Sequence, residues 1–304
     1  MFPLLKTLLQ YLLFPAVLML STGVMILGIN HSASIEGLAL LVASSTILIV
    51  HLAERVVPFR EEWNRNLGDV KADLTSLAII LTLLNPLTKL SSTWLVSLLL
   101  LTFGDRQWLT LFPNDWPLLS QLALFAVIAE FGRYWIHRWS HVQKHLWHVH
   151  ASHHCSERLY QFNGYRIHPI NYLWNFFLGQ FPLIALGANQ EVILLYFVFS
   201  SVVAAFQHAN INSKNGFLNL IISTNELHRW HHTTDATVGN KNFGSALILW
   251  DMVFGSYYDG KNRILDKVGL ISPGNYPINH FLKQIAAPFC WQRCVVQVNS
   301  TKPD

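Results

Sequence analysis

The sequence predicts an all-α integral membrane protein, with about four transmembrane helices, a membrane hairpin and a histidine-rich part outside the bilayer. Three observations predict it. The chain of 304 residues is 52% hydrophobic and only 12% charged, about half the charge of an ordinary soluble domain. Its apolar residues fall in runs near the roughly 20 residues that a helix needs to cross a bilayer. Its histidines gather at helical spacing in the polar stretches that follow.

The first run, residues 8–27, contains Pro15, a potential kink. It is longer than the apolar core of a cleaved signal, so a retained span is expected. Residues 35–52 form the second span. Residues 74–102 form the third, interrupted by Asn85-Pro86, which should break or kink a helix. Residues 118–136 are the fourth. Residues 172–186 and 192–206 flank Gly187-Ala188-Asn189. Each is short, so a hairpin entering partway and two full spans are both open.

Lysine and arginine set the expected orientation. They crowd the linker after the second span, the histidine region and the C-terminal part, whereas the opposite loops, near 30–34 and 104–116, hold only Arg106. Both termini and all histidine clusters are therefore expected in the cytoplasm, with four crossings and then a returning hairpin. A bacterial inner membrane or the endoplasmic reticulum would suit. The net charge of +4 is explained by this bias beside anionic lipid; no nucleic acid is expected.

His137 and His141 form HxxxH, His150, His153 and His154 form HxxHH, and His228, His231 and His232 form HxxHH again. Residues three or four apart share a helix face, so each cluster should present its rings to one point. Eight clustered imidazoles exceed the three or four ligands of one zinc ion and suit two metal ions. His208 and His168 stand between the clusters as further ligands or supports, and Pro169 biases His168 to an extended conformation. Glu130 either orients a ligand histidine or pairs with Arg133 or Arg138. His148 is placed at the interface beside Trp147. An all-imidazole set suits iron, zinc or copper. Iron would activate O2; zinc would activate water for hydrolysis. The three cysteines are too few for a disulfide framework and are expected as reduced thiols, Cys155 as a packed core residue.

The words around these histidines carry a resemblance. They are His137-Arg138, Leu146-Trp147, Arg166-Ile167-His168-Pro169, His208-Ala209-Asn210, Asn242-Phe243-Gly244, Trp250-Asp251 and Phe254-Gly255. In these, and in the order and spacing of the clusters, the chain resembles the fatty acid hydroxylase and sterol desaturase superfamily of membrane-bound, histidine-rich di-iron oxygenases, over about residues 69–258. The resemblance implies membrane helices under a cytosolic helical cap that holds a dimetal site. It implies O2-dependent hydroxylation or desaturation at a C–H bond of a sterol, fatty acyl or ether lipid, with two iron ions, zinc able to occupy the site in purified protein, and O2 as co-substrate. Carried over, the ligands are His137, His141, His150, His153, His154, His228, His231 and His232, with His208 next and His168 behind it. No catalytic residue beyond the metal centre is implied. Asn242 and Asp251 would order the cap. The chain divides into N-terminal helices and a basic linker (1–68), a catalytic domain (69–260) and a C-terminal tail (261–304).

No dinucleotide motif and no cluster-binding cysteine set is present. A separate electron donor is therefore implied, a ferredoxin or a cytochrome b5-like protein with its reductase. The competing reading is a zinc-dependent membrane hydrolase, although no HExxH supplies its general base.

Overall fold

A computed structural model describes residues 3–31, 34–104, 107–261 and 263–295. Arg106 of the charge argument and the chain end, 296–304, lie outside the described residues. Helix α1 (Pro3–Asn30) and helix α2 (Ile35–Val56) form a pair. Helix α3 (Val70–Ile79) passes through a π-helical turn, Ile80–Leu84, into α4 (Asn85–Phe103). Then come α5 (Leu118–Val142) and α6 (Lys144–His154), followed by α7 (Pro169–Asn175). A second π turn, Phe176–Gln180, leads to α8 (Phe181–Ala185), and α9 (Gln190–Gln207) returns. Short helices α10 (Asn225–His231), α11 (Leu249–Val253), α12 (Phe281–Ala286) and α13 (Trp291–Cys294) complete the order. Among the described residues no strand forms; isolated bridges join Pro58 to Ile211, Ile222 to Leu247 and Thr233 to Val268.

Pro86 does not break the third span. The π turn stands directly before Asn85-Pro86, and the second π turn stands in the same relation to Phe181-Pro182. A proline lacks the N–H that would reach back four residues, and its ring crowds that carbonyl. Widening the preceding turn relieves the clash and keeps the axis continuous.

Four helical stretches are long and apolar enough to cross a membrane: Pro3–Asn30, Ile35–Val56, Val70–Phe103 and Gln190–Gln207. The number agrees with expectation, but the membership differs. The expected fourth span belongs to α5, which forms a helix but carries Glu130, Arg133 and Arg138 in its second half. Helix α9 takes that place. It packs against α1, α2 and α5, and Val192, Leu195, Tyr196, Val198 and Val202 are fully buried, so α9 is the centre of the bundle.

The hairpin tip reaches the far end of the bundle. Phe112 N donates to Leu186 O (3.0 Å) and Asn114 Nδ2 to Gly187 O (2.8 Å), which seats the tip on the connection between α4 and α5. Gly187 sits at φ +90°, and a Cβ there would lie 1.7 Å from Leu109 O. Only glycine fits such a turn at that distance. Below the tip, a Cβ on Gly132 would lie 1.8 Å from Leu178 O, so α5 and the rising arm touch backbone to backbone.

The histidine-bearing segments gather at the opposite end. The segment after residue 260 packs on them: Ile278 O accepts from Arg166, Ile285 O faces His168 Nε2, and Trp291 stacks on His148 at 4.0 Å. His148 therefore belongs to this roof and lies apart from the clustered rings. Cys155 is free and buried; Cys290 is disulfide-bonded, contrary to the expected reduced thiol.

Candidate metal centre

The last turns of α5 present His137 and His141; α6 presents His150, His153 and His154. His208 ends α9, and α10 with the residue after it presents His228, His231 and His232. These nine rings separate into two groups. His137, His141, His150, His154 and His231 form one; His153, His208, His228 and His232 form the other. Within each group the ligand atoms lie within 4.8 Å of one another.

The split corrects the expectation that each HxxHH faces one point. A helix advances about 100° per residue, so position i+4 falls on one flank of position i and position i+3 on the other. His150 and His154 join the first group and His153 the second; His228 and His232 join the second and His231 the first. Each HxxHH thus gives its i, i+4 pair to one group and its i+3 ring to the other.

Six of the nine rings are oriented from behind. His137 Nδ1 donates to Phe243 O (2.6 Å), His231 Nδ1 to Lys241 O (2.8 Å) and His153 Nδ1 to Arg166 O (3.3 Å). A carbonyl only accepts, so the proton must sit on Nδ1 and the Nε2 lone pair must face inward. Asparagine oxygens do the same for His141 (Asn240, 3.1 Å), His150 (Asn171, 2.7 Å) and His208 (Asn163, 2.8 Å). The Nε2 atoms of His137, His141 and His231 are buried without a partner. His228 Nε2 lies 2.9 Å from the Nε2 atoms of both His208 and His232; one ring proton cannot satisfy both contacts. Converging Nε2 atoms whose close contacts ring protons cannot all satisfy fit a bound cation, and the donor set fits iron or zinc.

His168 takes another role. Its Nδ1 accepts from Ile170 N (3.1 Å), capping α7, and its Nε2 donates to Ile285 O (3.1 Å). Both nitrogens are engaged, and the ring lies outside both groups.

Two carboxylates hold the loop that carries Phe243. Asp251 accepts from Phe243 N (2.8 Å), Gly244 N (2.7 Å) and Ser256 Oγ (2.6 Å). Glu130 Oε2 accepts from the backbone N–H groups of Ser245, Ala246 and Leu247 (3.1, 2.6 and 3.3 Å). Its Oε1 takes Arg133 Nη1 and Tyr196 OH, each at 2.8 Å. Of the two roles open to Glu130, the pair with Arg133 is the one formed, and no ligand ring touches it. Asn242, at φ 55°, clamps the loop from the other side through Leu227 O and Tyr258 O.

A second clamp lies under His153 and His208. Arg158 grips Asp69 through two bonds of 2.8 Å, and Arg166, fully buried, bonds Asp73, the backbone of Asp69 and Ile278 O. Sequence reasoning missed Asp69 and Asp73, together with the three orienting asparagines. Their one available signal was polarity: each is an amide or acid in an otherwise apolar chain.

Burial pushes the rings below the ordinary histidine value near 6.5, His150 to about 4, and His208 and His231 to about 3. Asn171 opposes the shift at His150 and Lys241 O at His231. The unfolded chain binds protons as pH falls through about 6.5, whereas the folded one does not until each depressed value is reached. Metal-free protein is thus expected to keep its full stability above about pH 6.5 and lose it progressively down to about pH 3. Melting curves of chelator-treated protein in detergent would check this; a midpoint that stays level over that interval would contradict it.

Residues 122–256 match the family described as Fatty acid hydroxylase. The chain is 32% identical over 250 residues to the ornithine lipid hydroxylase OlsE of Rhizobium tropici, covering 81% of this chain and 73% of that protein. It is 29% identical over 169 residues to alkylglycerol monooxygenase of Homo sapiens, covering 56% of this chain and 36% of that protein. It is 24% identical over 144 residues to sphinganine C4-monooxygenase 2 of Arabidopsis thaliana, covering 46% and 55%. No solved structure matches.

Proposed function

From the premise that this chain belongs to the fatty acid hydroxylase family of lipid-acting oxidoreductases, we propose that it hydroxylates a membrane lipid with O2 at two iron ions held by its nine grouped histidines. The observation that carries the reading is the pair of adjacent histidine groups with inward lone pairs. Two irons bound there would supply the activation of O2 and the oxidation of a C–H bond. The protein's part is to keep the Nδ1 protons on their acceptors, exclude water and position the lipid.

The names of the relatives favour hydroxylation over desaturation, and a polar lipid over a sterol as substrate. Electrons would come from a separate ferredoxin or cytochrome b5-like protein with its reductase. The basic residues beside the histidines favour a cytoplasmic centre. The hydrolase reading lacks a base. The buried carboxylates Glu130 and Asp251 have their oxygens occupied by backbone N–H groups, and neither histidine group contains an acid.

The test is iron-loaded protein in bilayers with extracted lipids, a chemical or enzymatic reductant and labelled O2. Lipids heavier by one labelled oxygen are expected by mass spectrometry. Iron-loaded protein with no such product, beside a zinc form that cleaves a lipid, would replace this reading with the hydrolase.

A further inference from the structure

Two cavities border the histidines. The larger, ≈ 360 Å³, touches His141, His154 and His231, all of the first group, and opens between residues 236–240 and 269–272. The smaller, ≈ 90 Å³, touches His137 and His150 of the first group and His153, His208 and His228 of the second. A C–H bond that must meet both metal positions fits the smaller one. Its other walls come from α5, α7 and α9, one turn from the ligand rings toward the apolar bundle, where Arg133, Asn175 and Ala204 lie.

Polar side chains line part of this cavity. Arg133, Asn175, Gln207 and Ser245 line it from four separate segments. Arg133 Nη1 donates to Glu130 and Tyr196 (2.8 and 3.0 Å); among the described residues its other guanidinium nitrogens donate to no partner. Glu130 already receives three backbone N–H groups and the Tyr196 hydroxyl, so the guanidinium is not consumed by that pair. The Asn175 amide and the Ser245 hydroxyl likewise have no hydrogen-bond partner among the described residues. An acyl chain seated here would cover these donors and leave them unsatisfied, which is unfavourable for a buried polar group. A carboxylate or phosphate would satisfy them, and a guanidinium fork suits either.

We propose that this cavity seats an oxyanion of the lipid headgroup against Arg133, Asn175 and Ser245, so that the carbon oxidised lies close to the headgroup and not far along an acyl chain. The inference rests on the oxygenase reading, and its test is arranged to fail separately. Metal-free full-length protein in detergent is titrated with N-decanoylglycine, its uncharged methyl ester and decyl phosphate, with binding read by native mass spectrometry and calorimetry.

The acid or the phosphate is expected to bind about tenfold more tightly than the ester. Arg133→Gln is expected to erase that preference. Because this change leaves Glu130 without its cation, Asn175→Ala and Ser245→Ala serve as milder variants, each expected to weaken oxyanion binding about threefold. Tighter decyl phosphate would assign a phosphate headgroup; tighter N-decanoylglycine a carboxylate. Equal binding of acid, phosphate and ester by the unaltered protein overturns the inference and leaves the oxygenase reading untouched, since neither iron nor O2 is present. In the labelled-oxygen experiment, fragmentation that puts the new oxygen in the middle of an acyl chain would overturn it as well.

Discussion

His208→Ala is expected to lose one metal ion and at least a hundredfold in product formation, and His168→Ala to keep both ions. The sequence sets these two residues side by side as isolated histidines; the structure separates them. His208 Nε2 lies 2.9 Å from His228 Nε2, inside a group of only four rings. Removing it leaves three, and the loss should exceed the roughly 10–100-fold typical of removing a group that merely orients a ligand. His168 is different because both of its nitrogens bind backbone groups. Its replacement costs a helix cap, about 1 kcal/mol. The double variant His228→Ala, His232→Ala removes half of the same group and should retain about one ion, held by the five-ring group. Metal analysis per chain on protein from iron-replete cells decides the matter. Equal metal loss from the His168 and His208 variants would refute the grouping.

Arg166→Ala is expected to be the most destabilising single change among the residues around the site. The guanidinium is fully buried and bonds Asp73, Asp69 O, Ile278 O and Cys155 Sγ. Removing one partner of a buried pair leaves the other charge uncompensated, at about 3–5 kcal/mol. Arg166 O also accepts from His153 Nδ1, so a shifted backbone would misaim a ring as well. Arg166→Lys should rescue little, because an ammonium cannot span acceptors set around a planar fork. Thermal unfolding in detergent and metal content measure the two consequences together. A melting temperature within a degree or two of the native protein would show that the clamp contributes little.

The histidines were legible because their spacing is local. HxxxH and HxxHH declare a shared helix face, and the structure brings all eight clustered rings together with His208. The reciprocal split was also present in the spacing: positions i+3 and i+4 fall on opposite flanks of position i. What orients the rings was not legible. Asn163 and His208 are 45 residues apart, Arg158 and Asp69 are 89 apart, and Glu130 meets residues 245–247 across more than a hundred. No periodicity connects such partners. Which helices are the most apolar was only partly legible, for a related reason. Residues 118–136 read as apolar, yet α5 carries Glu130 and Arg133 in its second half, and the central position goes to α9.

The roof over the centre bears on how the protein is made. Trp291 covers His148, while Ile278 and Ile285 hold Arg166 and His168 from above. A chain emerging N-terminus first has every grouped histidine synthesised before this segment exists. The ligand-bearing segments are therefore complete before the segment that packs on His148, Arg166 and His168 is made.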